Sequence, residues 1–172
     1  MKKTKPTSSA FSKSPTQSRV EMREMVMPHH ANPQNTIFGG VVMSWVDIAA
    51  AMCASRHSQR PVVTVHVDSF TFKSPIKVGQ HVHITAEIVY VGTTSMEIYV
   101  KVMSENPYNG DTHVATTASL TFVALDDYGK PTNVPGLELK TLEEQQLNAQ
   151  ALARVNSRKK LAKKIGAMKK RK

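Results

Sequence analysis

The chain lacks several things, and each lack removes a class of protein. It has a single cysteine, Cys53, in 172 residues. No internal disulfide framework is therefore available, and this usage fits a reducing compartment. It has no run of about 18 or more apolar residues, so no transmembrane helix is expected. Acidic residues are missing from both ends: residues 1–20 carry five Lys or Arg and residues 154–172 carry ten, with no Asp or Glu in either segment. The formal charge of +10 thus belongs to the ends, and residues 21–153 are net negative by 5. The first 19 residues also lack the apolar core of a secretory signal. They are expected to form a disordered basic tail, with organelle targeting as a second option, and a cytoplasmic location is expected. No aromatic residue is interleaved with the basic charges of 154–172, so nothing there can stack on bases and nucleic acid is not expected as a partner.

The middle of the chain is rich in strand patterns. Val20 to Met27 reads as a first strand ended by Pro28. His29 to Thr36 is a polar loop containing the turn-forming pair Asn32-Pro33. Four β-branched runs follow: 61–72, 81–91, 95–103 and 113–125. Val82, Ile84, Ala86 and Ile88 share one face of the second run, and Met96, Ile98, Val100 and Val102 share one face of the third. Turns at Pro75 to Gly79, Gly92 to Thr94 and Asn106 to Gly110 separate the runs. Their spacing predicts a consecutive antiparallel meander. Near the end, Thr141-Leu142-Glu143-Glu144 reads as a capping box that starts a helix.

Between the first strand and the others lies Gly39-Gly40 followed by V-V-M-S-W-V-D-I-A-A-A-M-C-A, residues 41–54. Apart from Ser44 and Asp47 it is apolar on every side of a helical period, which predicts a buried helix. One helix and about five strands give an α+β fold with the antiparallel sheet wrapped around the long helix. The sheet alone does not surround an all-apolar helix, so a second copy of the domain is expected to complete the cover. Asp47 stands out, because an ionised carboxylate in such a helix needs partners. The competing structural account is a carboxylate that caps a neighbouring backbone group.

These residues resemble the hotdog-fold acyl-CoA thioesterases, specifically the bacterial short-chain and brain-type cytosolic acyl-CoA hydrolases. The resemblance rests on Asn32, a six-residue spacer, Gly39-Gly40, the hydrophobic helix and Asp47. Val62-Val63-Thr64-Val65, Phe70-Thr71-Phe72, Pro75 to Gly79, Gly92 to Ser95 and Ala118 to Ala124 follow as later landmarks. It covers residues 20–135, leaving 1–19 as tail and 136–172 as a C-terminal helix and basic tail. It implies hydrolysis of acyl-CoA to free acid and coenzyme A, with no cofactor beyond the coenzyme A of the substrate. It also implies self-association as a dimer or trimer of dimers, Asn32 positioning water or thioester, and Asn32 and Asp47 supplied to one site by different protomers.

The chemistry is consistent with that implication. Gly39 and Gly40 open the helix, where unpaired backbone N–H groups and the positive dipole end can stabilise an oxyanion, and glycine permits close approach. Asp47 is the candidate general base or, alternatively, nucleophile. Ser44 is a supporting residue. The Gly92-Thr93-Thr94-Ser95 turn could donate to the pantetheine or phosphates, or be a plain hairpin turn. Arg56 and Arg60, with Lys73 and Lys77, are candidate phosphate partners. His81 with His83, and His29 with His30, do not make a metal site, because Glu87 is about 13 Å from His83 along the strand. Cys53 is read as a core residue. Two other functions compete: a non-catalytic acyl-CoA-binding regulator, and a dehydratase of the same fold, which would need a His/Asp or His/Glu pair at the helix start.

Overall fold

The structure, a computed structural model, describes residues 12–169, with side chains described through Lys164. Residues 12–19 correct the expected disordered tail. Ser12–Lys13 (β1) pairs in parallel with Gly136–Leu137 (β7), and Pro15–Ser18 forms one helical turn (α1). Ser14, Pro15 and Ser18 are buried there. Lys13 Nζ donates to the carbonyls of Arg56 and His57, at 3.2 and 2.8 Å. These carbonyls end the long helix and have no acceptor role inside it, so a cation there offsets the helix dipole. Residues 1–11 of the expected tail lie outside the described residues.

Five strands make the main sheet: Val20–Met25 (β2), Val62–Phe72 (β3), His81–Val91 (β4), Ser95–Glu105 (β5) and Thr112–Ala124 (β6). Their order is β2-β4-β5-β6-β3, antiparallel throughout. The expected meander holds for β4, β5 and β6 and fails for β3, which crosses to the far edge beside β6. The reason lies between β2 and β3. The helix Gly39–Ser58 (α2) occupies that interval and carries the chain across the concave face before β3 begins. The alternating residues Val82, Ile84, Ala86, Ile88, Met96, Ile98, Val100 and Val102 are all buried in the core with α2.

Within one chain the sheet covers only one flank of α2, in keeping with the expectation that the sheet alone does not surround it. Val42, Val46, Ala49, Ala50, Cys53 and Ala54 are buried against the sheet, whereas Met43, Ile48 and Met52 are 46%, 47% and 50% exposed. Gln59 ends the helix in the left-handed region at φ 53°. The last helix, Leu142–Lys169 (α3), starts at the predicted capping box: Glu144 N donates to Thr141 Oγ1 at 3.1 Å, and Thr141 N to Glu144 Oε2 at 2.9 Å. It packs across the outer face of the sheet. Asn148 donates to the carbonyl of Val89 on β4 at 2.7 Å, Arg154 binds Glu97 on β5, and Arg158 reaches both Glu97 and Asp68 on β3. Arg154 and Arg158 therefore hold a buried carboxylate, so this part of the expected C-terminal helix and basic tail is packed on the sheet. No helix among the described residues is long and apolar enough to cross a membrane.

Candidate active site

The loop before α2 is built on Asn32. Its Oδ1 accepts from the amides of Gln34 and Thr36, at 3.0 and 3.2 Å, and its Nδ2 donates to Thr36 Oγ1 at 2.9 Å. A weaker contact of 3.5 Å joins Nδ2 to the carbonyl of Ile37. Asn32 is thus the turn residue of this loop, in the way Asn side chains mimic a backbone turn. Ile37 is pinned in turn by its amide to the carbonyl of Ile76, at 2.8 Å. The loop delivers the chain to α2 through Phe38, whose side chain provides no cap. The first amides of the helix at Gly39 and Gly40 consequently have no side-chain acceptor from the N-cap. A Cβ at Gly40 would run into the ring of Phe38, and one at Gly39 would lie 3.2 Å from Phe72. His30 stacks edge-on against Trp45 with ring centres 5.1 Å apart, which ties the loop to the second turn of the helix.

Beside the helix start is an apolar cavity of about 320 Å³ bordered by Ile37, Gly39, Val42, Phe72, Ile76 and Thr116. It lies at the end of β3 where Phe72 pairs with Thr116.

Asp47 lies two turns further along α2, about 10 Å from Gly40 by helical rise. It is half-buried on the side of the helix that the sheet leaves open. Thr64 Oγ1 on β3 donates to Asp47 Oδ1 at 2.8 Å. Sequence reasoning missed Thr64 as a site residue. Its signal was slight: one hydroxyl at a strand start otherwise made of valines. The chain does not bring Asp47 together with Asn32 and the glycines, which serve the two ends of the same helix segment.

The remaining candidates form other groups. Arg56 donates to the carbonyl of Arg19 at 3.0 Å, and Arg60 pairs loosely with Asp127 at 3.5 Å. The Gly92 to Ser95 turn closes with the amide of Gly92 on the carbonyl of Ser95, at 2.8 Å. A Cβ on Gly92 would come within 2.8 Å of Ser95 Oγ, so the Ser95 hydroxyl would have to turn away to admit one. Lys73 borders the apolar cavity, and Lys77 is exposed near Thr36. Cys53 is buried, and burial pushes its thiol up to about 12, which removes it as a nucleophile. No three His, Cys, Asp or Glu side chains converge on a metal position among the described residues.

A long helix wrapped by one antiparallel sheet is the arrangement of the hotdog fold. The profile of the thioesterase superfamily matches residues 34–110. The uncharacterized acyl-CoA thioester hydrolase YkhA of Bacillus subtilis is 42% identical over 143 residues, which cover 83% of each chain. A crystal structure of an apo-hexameric acyl-CoA thioesterase superposes with a TM-score of 0.86 at 40% identity, covering 88% of this chain and 97% of that one. An acyl-CoA hydrolase from Staphylococcus aureus, solved with butyryl coenzyme A, coenzyme A and coenzyme A disulfide, gives 0.83 at 37% identity, covering 92% and 95%. The chain belongs to the thioesterase superfamily, in its group of hotdog-fold acyl-CoA thioester hydrolases.

Proposed function

We propose that this enzyme, an acyl-CoA thioester hydrolase, cuts its substrate at a site shared by two copies of the chain, with Asp47 as the general base. The observation that carries this reading is the Asp47–Thr64 hydrogen bond on the open side of α2. Thr64 fixes one carboxylate oxygen and leaves the other free to take a proton from water. That water adds to the thioester carbonyl. The resulting oxyanion is stabilised by the amides of Gly39 and Gly40 at the helix start, the C–S bond breaks, and the thiolate leaves with the proton. The products are the carboxylic acid and coenzyme A. Direct attack by Asp47 through an anhydride is the alternative, and incorporation of labelled solvent oxygen into Asp47 in a single turnover distinguishes the two.

The Staphylococcus aureus hydrolase supports the choice of residues. It was also solved with an asparagine, an aspartate and a threonine each replaced by alanine. Its asparagine and aspartate lie 15 residues apart and its aspartate and threonine 17, the same intervals as Asn32 to Asp47 and Asp47 to Thr64 here. Asn32 is held by its loop, and its longest contact, to Ile37, is the one a thioester or water could replace. The apolar cavity beside Gly39 is suited to the acyl chain.

Division of the site between protomers follows from the distance between Asp47 and the glycines and from the bare apolar surface around them. Met43, Ile48 and Met52 on α2 are exposed, and so are Val63, Val65 and Val67 on the β3 edge. An edge strand flanked by such a surface invites pairing with another copy. The hexameric relative is consistent with a dimer or trimer of dimers built this way. The test is complementation. Asn32→Ala and Asp47→Ala chains, each inactive alone in thiol release from an acyl-CoA panel, should regain about a quarter of full activity when mixed and allowed to exchange. No recovery would overturn the shared site.

A further inference from the structure

Four amides at the start of a helix lack a partner within it. At α2 two of them are answered locally. Phe38 N donates to the carbonyl of His30 at 2.8 Å, and Val41 N donates to the carbonyl of Phe38 at 2.9 Å. The amides of Gly39 and Gly40 have no acceptor among the described residues.

Two aromatic rings flank this pair. Phe72 stands beside Gly39, where a Cβ would lie 3.2 Å from its ring, and Phe70 backs it with ring centres 5.0 Å apart. That flank belongs to the apolar cavity, which Gly39 and Phe72 both border. Phe38 stands beside Gly40, where a Cβ would come within 2.4 Å of its ring. Neither Phe38 nor Gly40 borders the cavity, so the second ring covers a different flank of the first turn. Phe38 is tied through both its amide and its carbonyl, yet its ring is 59% exposed within one chain. A large apolar side chain is thus held at the surface with the free amides beside it.

Gly40 shows what the ring requires. Its φ is not in the left-handed region, and alanine is the better helix former. The backbone therefore does not call for glycine here; the Phe38 ring does. Hydrogen bonds from such amides to a developing negative charge are stronger where water is excluded. The cavity wall serves that end on the Gly39 side, and Phe38 is the group placed to serve it on the Gly40 side.

We propose that Phe38 is a positioning residue of the reaction, whose ring, seated on Gly40, keeps water off the amides of Gly39 and Gly40 so that they remain available to the thioester carbonyl. The proposal rests on the reading above that these amides stabilise the oxyanion. The experiment uses the full chain and has two readouts. Phe38→Ala should lower kcat for acyl-CoA about tenfold and leave KM within about twofold, a smaller loss than that of an oxyanion donor itself. Phe38→Leu, which keeps an apolar cover, should recover most of the loss. Gly40→Ala keeps its amide but displaces the ring, so it should lose a similar factor. The chain carrying both Phe38→Ala and Gly40→Ala should then lose no more than either alone.

The second readout is the infrared carbonyl stretch of a carbonyl-labelled acyl-CoA bound to the Asp47→Ala chain. Hydrogen bonds from the amides should move it to lower frequency, and adding Phe38→Ala should reverse part of that shift. A kcat for Phe38→Ala within about twofold of the unsubstituted chain overturns the proposal. Losses that multiply in the double variant, or a carbonyl shift that Phe38→Ala leaves intact, overturn it too. An unshifted carbonyl in the Asp47→Ala chain would instead overturn the oxyanion reading, and this one with it.

Discussion

On the outer face of the sheet, α3 lies over strands β4 to β3 and encloses Glu97 completely, with Arg154 and Arg158 on its carboxylate. On the opposite side, the sheet covers one flank of α2 and leaves the other bare, from Met43 to Met52, alongside an edge strand of exposed valines. Both surfaces carry a carboxylate near a threonine, but the outcomes differ. Glu97 is sealed in, and burial pushes its carboxyl above the usual range while Arg154 opposes the shift. Asp47 has one hydroxyl partner and stays open. The chain covers one face with its own helix and leaves bare the flank of α2 beside Asp47, the proposed general base.

Removing the carboxylate on the open face should have the largest effect. Asp47→Ala is expected to lower kcat/KM about a thousandfold in thiol release with little change in melting temperature, because the side chain is half-exposed and holds no backbone group. Thr64→Val, which frees the carboxylate to rotate, should cost about tenfold, mostly in kcat. A charge on the bare edge probes the same face differently. Val67→Asp should give monomers by sedimentation and lose about a hundredfold in activity. A fully active monomer would break the contrast between the two faces.

Substitutions on the closed face should act on stability instead. Arg154→Ala leaves the buried Glu97 without its main partner and should cost about 3 kcal/mol in denaturant unfolding. Replacing the pair together, as Glu97→Met with Arg154→Leu, should cost much less, since the desolvation of both charges is removed as well.

The smallest effect concerns His57, wholly buried between the two terminal segments. Its Nε2–H donates to the carbonyl of Pro135 at 3.1 Å, which leaves Nδ1 to accept from Ser18 Oγ at 2.9 Å. Burial lowers its pKa below the ordinary 6.5, with the Pro135 hydrogen bond opposing and Lys13 adding to the shift. The unfolded chain therefore takes up the proton first as pH falls. Stability is full above about 6.5 and is lost below it, at no more than about 1.4 kcal/mol per pH unit for one proton. Melting temperature should decline from pH 7 to 5.5, and His57→Gln should flatten that decline.

Much of the fold was legible because its elements are set by local periodicity. The inward faces of β4 and β5, the turns at Gly79 and Gly92 and the Thr141–Glu144 cap depend on residues within a few positions of one another. The register of β4 was readable up to Ile88, beyond which a bulge shifts the pairing with β5. Ser14 and Ser18 gave no sign of order, since a polar run becomes structured only when α2 and β7 supply partners.

The site divides in the same way. Asn32, Gly39-Gly40 and Asp47 were visible in the sequence because each is a residue type out of keeping with its surroundings: a turn former before proline, two helix-breaking glycines at a helix start, a carboxylate in an apolar run. Their chemistry is local to the side chain or to the first turn of a helix. Thr64 was not visible, and neither was the Glu97–Arg158 contact on the other face, since a hydroxyl among valines and an arginine in a basic run are ordinary until a partner is placed beside them. The crossing of β3 to the far edge put Thr64 against Asp47, and the path of α3 over the outer face put Arg158 against Glu97. Those contacts join residues 17 and 61 positions apart. Sequence fixes the period and the odd residue out; only the packing of α2 and α3 on the two faces of the sheet decides which distant groups meet.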